Sequence, residues 1–311
     1  MKFIFALALS LVSSLSMAKE SYTLVVPNTV GSASDIVIRT LSEVYNKNTG
    51  NKLIIQNVGG GNQAPAAVRF SNINTPAILL TTTGIMVFNP LVQKNLPYSL
   101  DIFDHVGGVA LSPVVWVVRA DSPYQNMQDL VSKLPSSNRP LVAYANLVEV
   151  VNLHMIARKN NWSPKQVEPV KYKGVPEVVQ GLLANDLEVA VVSTTQAVIA
   201  GVESGKLRII GTTVDTPLTM KNTKQEIIPV TRQIDVEQFT GGIFLSLNKL
   251  FTPEEAKKIK QDLMIAMRDP AVLETLDKLN QIPFNNARHT DLNAFFKNFK
   301  DKVDSLNLKF D

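Results

Sequence analysis

Short runs of apolar and β-branched residues alternate with stretches of helical periodicity through the first two thirds of the chain, and this alternation limits the fold more than any other feature. The runs lie at residues 23–26, 52–56, 77–81, 114–118, 141–144, 189–192 and 207–212. Several are apolar without a break, the pattern of strands covered on both faces of a largely parallel sheet. Helical segments fall between them at 36–45, 127–134, 152–159 and 177–184. Alternation of this kind predicts an α/β class. After about residue 251 the pattern turns to helix only, opening at Thr252 with Pro253 and two acids behind it, and again at Asp269 with Pro270.

The first eighteen residues stand apart. Lys2 precedes an apolar stretch that is too short to span a bilayer, and Ser16-Met17-Ala18 is a small-x-small cleavage site. The expectation is a signal peptide over 1–18, removed near Ala18, and an exported protein. The mature chain of about 290 residues exceeds the size at which one core stops growing, so two domains are expected. There is no cysteine, which excludes disulfides, a thiolate nucleophile and a lipid-bearing Cys. The net charge of +4 comes from basic residues scattered among acidic ones, which argues against nucleic acid.

Two turns draw attention. In "LVVPNTVGSASDIVIR", from Leu24, a strand breaks into Gly and Ser before a helix. Ser32 and Asp35 have the S-x-x-D spacing of a capping box, with Ser32 accepting from the Asp35 amide and Asp35 reaching back. Two readings stand: a well-capped βα turn, or a binding loop at the carboxyl end of a strand, where open α/β sheets place ligands. The second turn, "NVGGGNQAPAA", fits G-x-G-x-x-A at Gly59, Gly61 and Ala64. A dinucleotide site needs an acid about twenty residues on, and residues 77–86 contain none. No G-K-[ST] occurs after it, which excludes a P-loop. His105, His154 and His289 form no metal-ligand spacing, and no G-x-S-x-G elbow occurs. No metal, cofactor or catalytic set is expected.

The order of motifs resembles the Bug family, the extracytoplasmic receptors of tripartite tricarboxylate transporters. The family's first loop reads V-P-x-x-x-G-G-x-x-D-x-x-x-R, and Val26-Pro27, Gly31, Asp35 and Arg39 keep that spacing, with Ser32 for the second glycine. "NVGGGNQ" is similar to N-R-P-G-A-G-G-N, "VKYKGVPEVVQGLLANDLEV" to the V-P-Y-K-G segment and its sequel, and "SGKLRIIGTT" to A-G-K-L-R-x-L-A-V-T. The resemblance implies a two-lobe, Venus-flytrap periplasmic binding protein with lobe 1 at 21–118 and 240–311 and lobe 2 at 119–239. Such a receptor takes a small carboxylated organic solute and hands it to membrane permease subunits. An exported enzyme or a solute sensor for a similar acid is the alternative.

By the same resemblance the site residues on lobe 1 are Asn28, Thr29, Gly31, Ser32, Ala33, Ser34 and Asp35 in the first turn, Gly60, Gly61, Asn62 and Gln63 in the second, and Thr83. On lobe 2 they are Asn146, Glu149, Tyr172, Lys173, Gly174 and Thr194. One loop departs from the family. Where Y-G-S-A-G-N-G-S-x-x-H is usual, this chain has "YANLVEVVNLH", with Val148, Val150 and Val151 for two glycines and a serine. The expectation is a lost backbone cradle and an apolar surface there, with Glu149 either repelling an anion or, more simply, turned out to solvent.

Overall fold

A computed structural model describes residues 19–93, 95–163, 166–220 and 223–305, so the expected signal peptide lies outside the described residues. The chain opens with β1 (Ser21–Val26), α1 (Ala33–Thr49), β2 (Lys52–Asn57), α2 (Ala64–Ser71), β3 (Ala77–Thr82), α3 (Asn89–Val92) and β4 (Asp104–Ser112). β5 (Val114–Arg119) begins after a single intervening residue, then come α4 (Met127–Lys133), β6 (Leu141–Tyr144), α5 (Leu147–Lys159), β7 (Glu168–Lys171), α6 (Val175–Leu183), β8 (Val189–Ser193), α7 (Gln196–Glu203) and β9 (Leu207–Thr212). A small hairpin of β10 (Leu218–Thr219) and β11 (Glu226–Ile227) and the short α8 (Val230–Ile234) lead to β12 (Gly241–Leu247). The chain closes with α9 (Pro253–Ala266), α10 (Pro270–Lys278), β13 (Ile282–Pro283) and α11 (Leu292–Ser305).

Two main sheets result, in the orders β13-β4-β12-β3-β1-β2 and β7-β6-β8-β5-β9. They are mixed rather than largely parallel. β1 pairs in parallel with β2 and β3, and β6 with β7 and β8, but every pair made by β12 and by β5 is antiparallel. The unbroken apolar runs reflect burial on both faces, and strands returning from the other lobe are buried as fully as parallel ones. β5 also moves the first expected boundary: its residues up to Val118 belong by pairing to the second sheet, so the crossing lies at Pro113 instead. The helix-only tail is interrupted by β13, which pairs with β4.

Alternation along each strand feeds different cores. In β5, Val115 and Val117 join an apolar cluster under α6 and α7, while Val114, Trp116 and Val118 face the other way. In β12, Ile243 and Leu245 pack with α1, α9 and α10, and Phe244 faces the opposite side. The inner faces of both sheets share one continuous cluster, which runs from Phe70 and Phe88 through Phe244 and Phe296 to Trp116 and Ile156. Its rings touch in chains, with Phe296 centred 4.8 Å from Phe244 and Phe299 5.1 Å from Phe239. Trp116 is fully buried and its indole N–H donates to Gln238 Oε1 at 3.2 Å, the partner that a buried indole requires.

The crossings are hydrogen-bonded to one another. Gly241 stands opposite Ser112 in the β12–β4 register, the Thr213 and Thr240 hydroxyls lie 3.0 Å apart, and Gln281 accepts from the Ser112 hydroxyl at 2.5 Å.

Candidate functional site

The turns after β1 and β2 meet at the carboxyl ends of their strands. Asn57 Nδ2 donates both to the Asn28 carbonyl at 3.0 Å and to Asp35 Oδ1 at 2.9 Å, tying the second strand's end to the first turn. A Cβ on Gly59 would come within 3.3 Å of the Thr29 amide nitrogen, so the two turns lie against each other.

At the head of α1 the Ser32 hydroxyl accepts from the Asp35 amide at 3.3 Å, but the Asp35 side chain does not return to Ser32. It reaches one residue further, to the Gly31 amide at 2.8 Å, and also accepts from Arg39 Nε at 2.9 Å. The expected capping box is therefore half made, and the Gly31 amide is committed to Asp35. Asp35 is 1% exposed. Burial works to raise its pKa, yet the bonds from Arg39, Gly31 and Asn57 outweigh it and hold the carboxyl below its ordinary range. The first amides of a helix have no partner within the helix, which leaves those of Ala33 and Ser34, in half-buried positions, for an external acceptor.

The second turn is strained. Gly61, Asn62 and Gln63 all have positive φ, of 51°, 52° and 71°, a conformation rare for side-chain-bearing residues. The surroundings hold it in place. Asn89 Nδ2 donates to the Asn62 carbonyl at 3.0 Å, and the Thr82 hydroxyl donates to Gln63 Oε1 at 2.5 Å. Gln63 thus points inward, while Gly60 and Gly61 are exposed.

Thr83 and Thr194 lie at the crossings instead of in an open face. Thr83 Oγ1 accepts from the Gly242 amide at 3.3 Å, and Thr194 Oγ1 accepts from Gln281 Nε2 at 3.3 Å; both residues are buried. Tyr172 packs against the outer core, with its hydroxyl over Gly181 of α6, so it is turned away from the first lobe. Gly174 caps α6, and Lys173 is exposed.

The altered stretch is not a loop. Asn146 is the N-cap of α5, which begins at Leu147, five residues before the expected start, and Val148, Val150 and Val151 are buried in its packed face. They offer no apolar lining to a solute. Glu149 is not turned to solvent either, being 0% exposed. Its Oε2 accepts from the amides of Ala145 at 2.7 Å and Asn146 at 3.0 Å. Oε1 accepts from Asn146 Nδ2 at 2.7 Å, the Ser193 amide at 2.7 Å and the Ser193 hydroxyl at 2.9 Å. Burial pushes the carboxyl above its usual range, and the bonds from Ala145, Ser193 and Asn146 oppose that push. The signal was present in the sequence, since Asn146 and Glu149 form an N-x-x-E pattern with the spacing of the S-x-x-D at Ser32 and Asp35.

Between the lobes, Lys171 Nζ donates to Asn62 Oδ1 at 3.2 Å. Sequence reading missed both Lys171 and Ser193; each is the last residue of its strand, the position from which open sheets present groups to ligands. Two surface hollows of about 440 and 310 Å³ lie elsewhere, the first beside Arg119 and Lys206 and the second beside Phe70 and Lys249. Among the described residues no group of His, Asp and Glu is placed to hold a metal ion, and no helix is long and apolar enough to cross a membrane.

The chain is 25% identical over 276 residues to a UPF0065 protein of Cupriavidus necator, covering 84% of this chain and 79% of that one. MatC from Rhodopseudomonas palustris, solved with bound malate, superposes with a TM-score of 0.78 at 16% identity, over 92% of this chain and 98% of its own. R. palustris Rpa4515, solved with adipate, gives 0.79 at 16% identity over 93% and 97%. These two share the fold, a periplasmic binding protein of two α/β lobes. The family model described as tripartite tricarboxylate transporter family receptor matches residues 37–307, and the chain belongs to that family of solute-binding receptors, which are not enzymes.

Proposed function

We propose that the protein captures a small carboxylated organic solute between its lobes and delivers it to the membrane permease subunits of a tripartite tricarboxylate-type transporter, working in the periplasm after removal of a leader near Ala18. The observation that carries this reading is the meeting of the β1–α1 and β2–α2 turns. There a helix start with open amides follows one turn and a strained glycine turn follows the other, the two touching at Thr29 and Gly59, an arrangement that suits a carboxylate. The malate and adipate held by fold neighbours support the same solute class. Lys171, reaching across to Asn62, would add a cation at the mouth of the cleft.

A thermal-shift panel of mono-, di- and tricarboxylates tests the solute class, because a ligand at a hundred times its Kd adds about 2.7 kcal/mol of stability. Stabilisation by at least one carboxylate is expected, and a panel in which none stabilises the protein rejects the reading. Delivery is tested separately, by uptake of the same acid into cells with and without the receptor.

A further inference from the structure

We propose that Glu149 is a built-in anion, which fills the second lobe's carboxylate cradle from within and so restricts the protein to solutes that bring a single carboxylate. The inference rests on the receptor reading above and narrows its solute class.

A capping box needs one bond from the N3 side chain back to the N-cap amide. The Glu149 carboxylate receives five, from three separate places: the amides of Ala145 and Asn146, the Asn146 side chain, and both the amide and hydroxyl of Ser193 at the end of β8. None of these donors is charged. Among the described residues no lysine or arginine is paired with Glu149, whereas Asp35, at the matching place in the first lobe, is bonded to Arg39. A fully enclosed carboxylate held by backbone amides, an amide side chain and a hydroxyl has the surroundings of a bound ligand's carboxylate, here reached by a tether of two methylenes.

The cradle is also in the right place. It lies at the carboxyl ends of the adjacent strands β6 and β8. Lys171, which bonds to Asn62 of the first lobe, is the register partner of Tyr144, the residue before Ala145. A solute's second carboxylate arriving here would find the donors taken and a negative charge behind them.

Chemical rescue tests the occupancy without any assumption about the solute. Thermal unfolding of wild type and E149A is followed in sodium chloride, formate and acetate at equal ionic strength. Formate or acetate should raise the midpoint of E149A in proportion to the logarithm of its concentration while leaving wild type within one or two degrees of its chloride value. Equal shifts in the two proteins overturn the proposal. Selectivity is read as the ratio of butyrate to succinate affinity, which E149A should move toward succinate by at least tenfold; an unchanged ratio overturns the proposal as well. If E149A does not fold in chloride, refolding in formate is scored instead, together with the butyrate to succinate ratio of E149Q, which keeps the shape, removes the charge and should move at least threefold. A wild type that binds no carboxylate while E149A is rescued would reject the receptor reading and leave the filled cradle standing. Binding of butyrate by wild type without rescue of E149A would reject this inference alone.

Discussion

Lys171 donates to Asn62 across the space between the two sheets, and this bond joins the last residue of β7 to the most strained turn of the first lobe. Lys171 is exposed, so the bond contributes no more than about 1 kcal/mol. Its effect is expected in the balance of open and closed forms. Lys171→Ala and Asn62→Ala should each weaken solute binding two- to fivefold, mainly by faster release, and the double mutant should lose little more than either. Fully additive losses in a stopped-flow double-mutant cycle would show that the two residues act apart.

Closure itself is expected to be a rigid rotation about the crossings at Pro113 and near Thr240, since the hydrogen-bonded strands there leave few other places to bend. Small-angle scattering with saturating solute should show compaction. Proven binding with an unchanged radius of gyration would rule out the rotation.

Gly31 and Gly61 should matter through backbone geometry. Gly31 has φ of 81° with no heavy atom within 4 Å of a built Cβ, so valine there adds strain alone; at Gly61, with φ of 51°, a Cβ also meets Pro65 at 3.0 Å. Either substitution is expected to weaken binding at least about tenfold, near 1.4 kcal/mol, with the fold retained. Normal titration curves from both mutants would move the site off these turns.

His105 gives a pH dependence of fixed sign. Burial against Phe103 and Phe296 lowers its pKa from 6.5 to about 4, with Asp104 and Asp291 opposing that shift and Lys260 adding to it. Between those values the unfolded chain binds a proton that the native ring does not. Stability from this residue is therefore complete above pH 6.5 and falls as pH drops toward 4, by at most about 3 kcal/mol. Urea midpoints at pH 7 and pH 4.5 should diverge in wild type and converge in His105→Asn. An equal pH slope in the mutant would assign the loss to other groups.

The α/β class and the starts of α1, α9 and α10 were legible because caps and apolar runs are local. Thr252 and Glu255 close a full capping box, and Asp269 accepts from Ala271, at the helix starts that the sequence marks. The strands β4 and β12 were not legible, since each carries a Gly-Gly pair where strand propensity fails. In β4 the reason is packing: a Cβ on Gly108 would lie 2.2 Å from the ring of Phe284, which is distant in sequence. At the candidate site, the small-residue turns could be read but not their internal bonds. That Asp35 meets Asn57, or that Glu149 meets Ser193, depends on which strand ends lie side by side, and no local pattern records it.

β12 lies between β3 and β4 in the middle of the first sheet, although it is made from residues 241–247. During synthesis, the strands before residue 113 emerge first but cannot complete their sheet, whereas every strand of the second sheet is present once Thr212 has appeared. The lobe that begins the chain is therefore the one that finishes last. Until Leu247 arrives, β3 and β4 keep unpaired edges, and a chain stalled in that interval is open to wrong pairing with its neighbours.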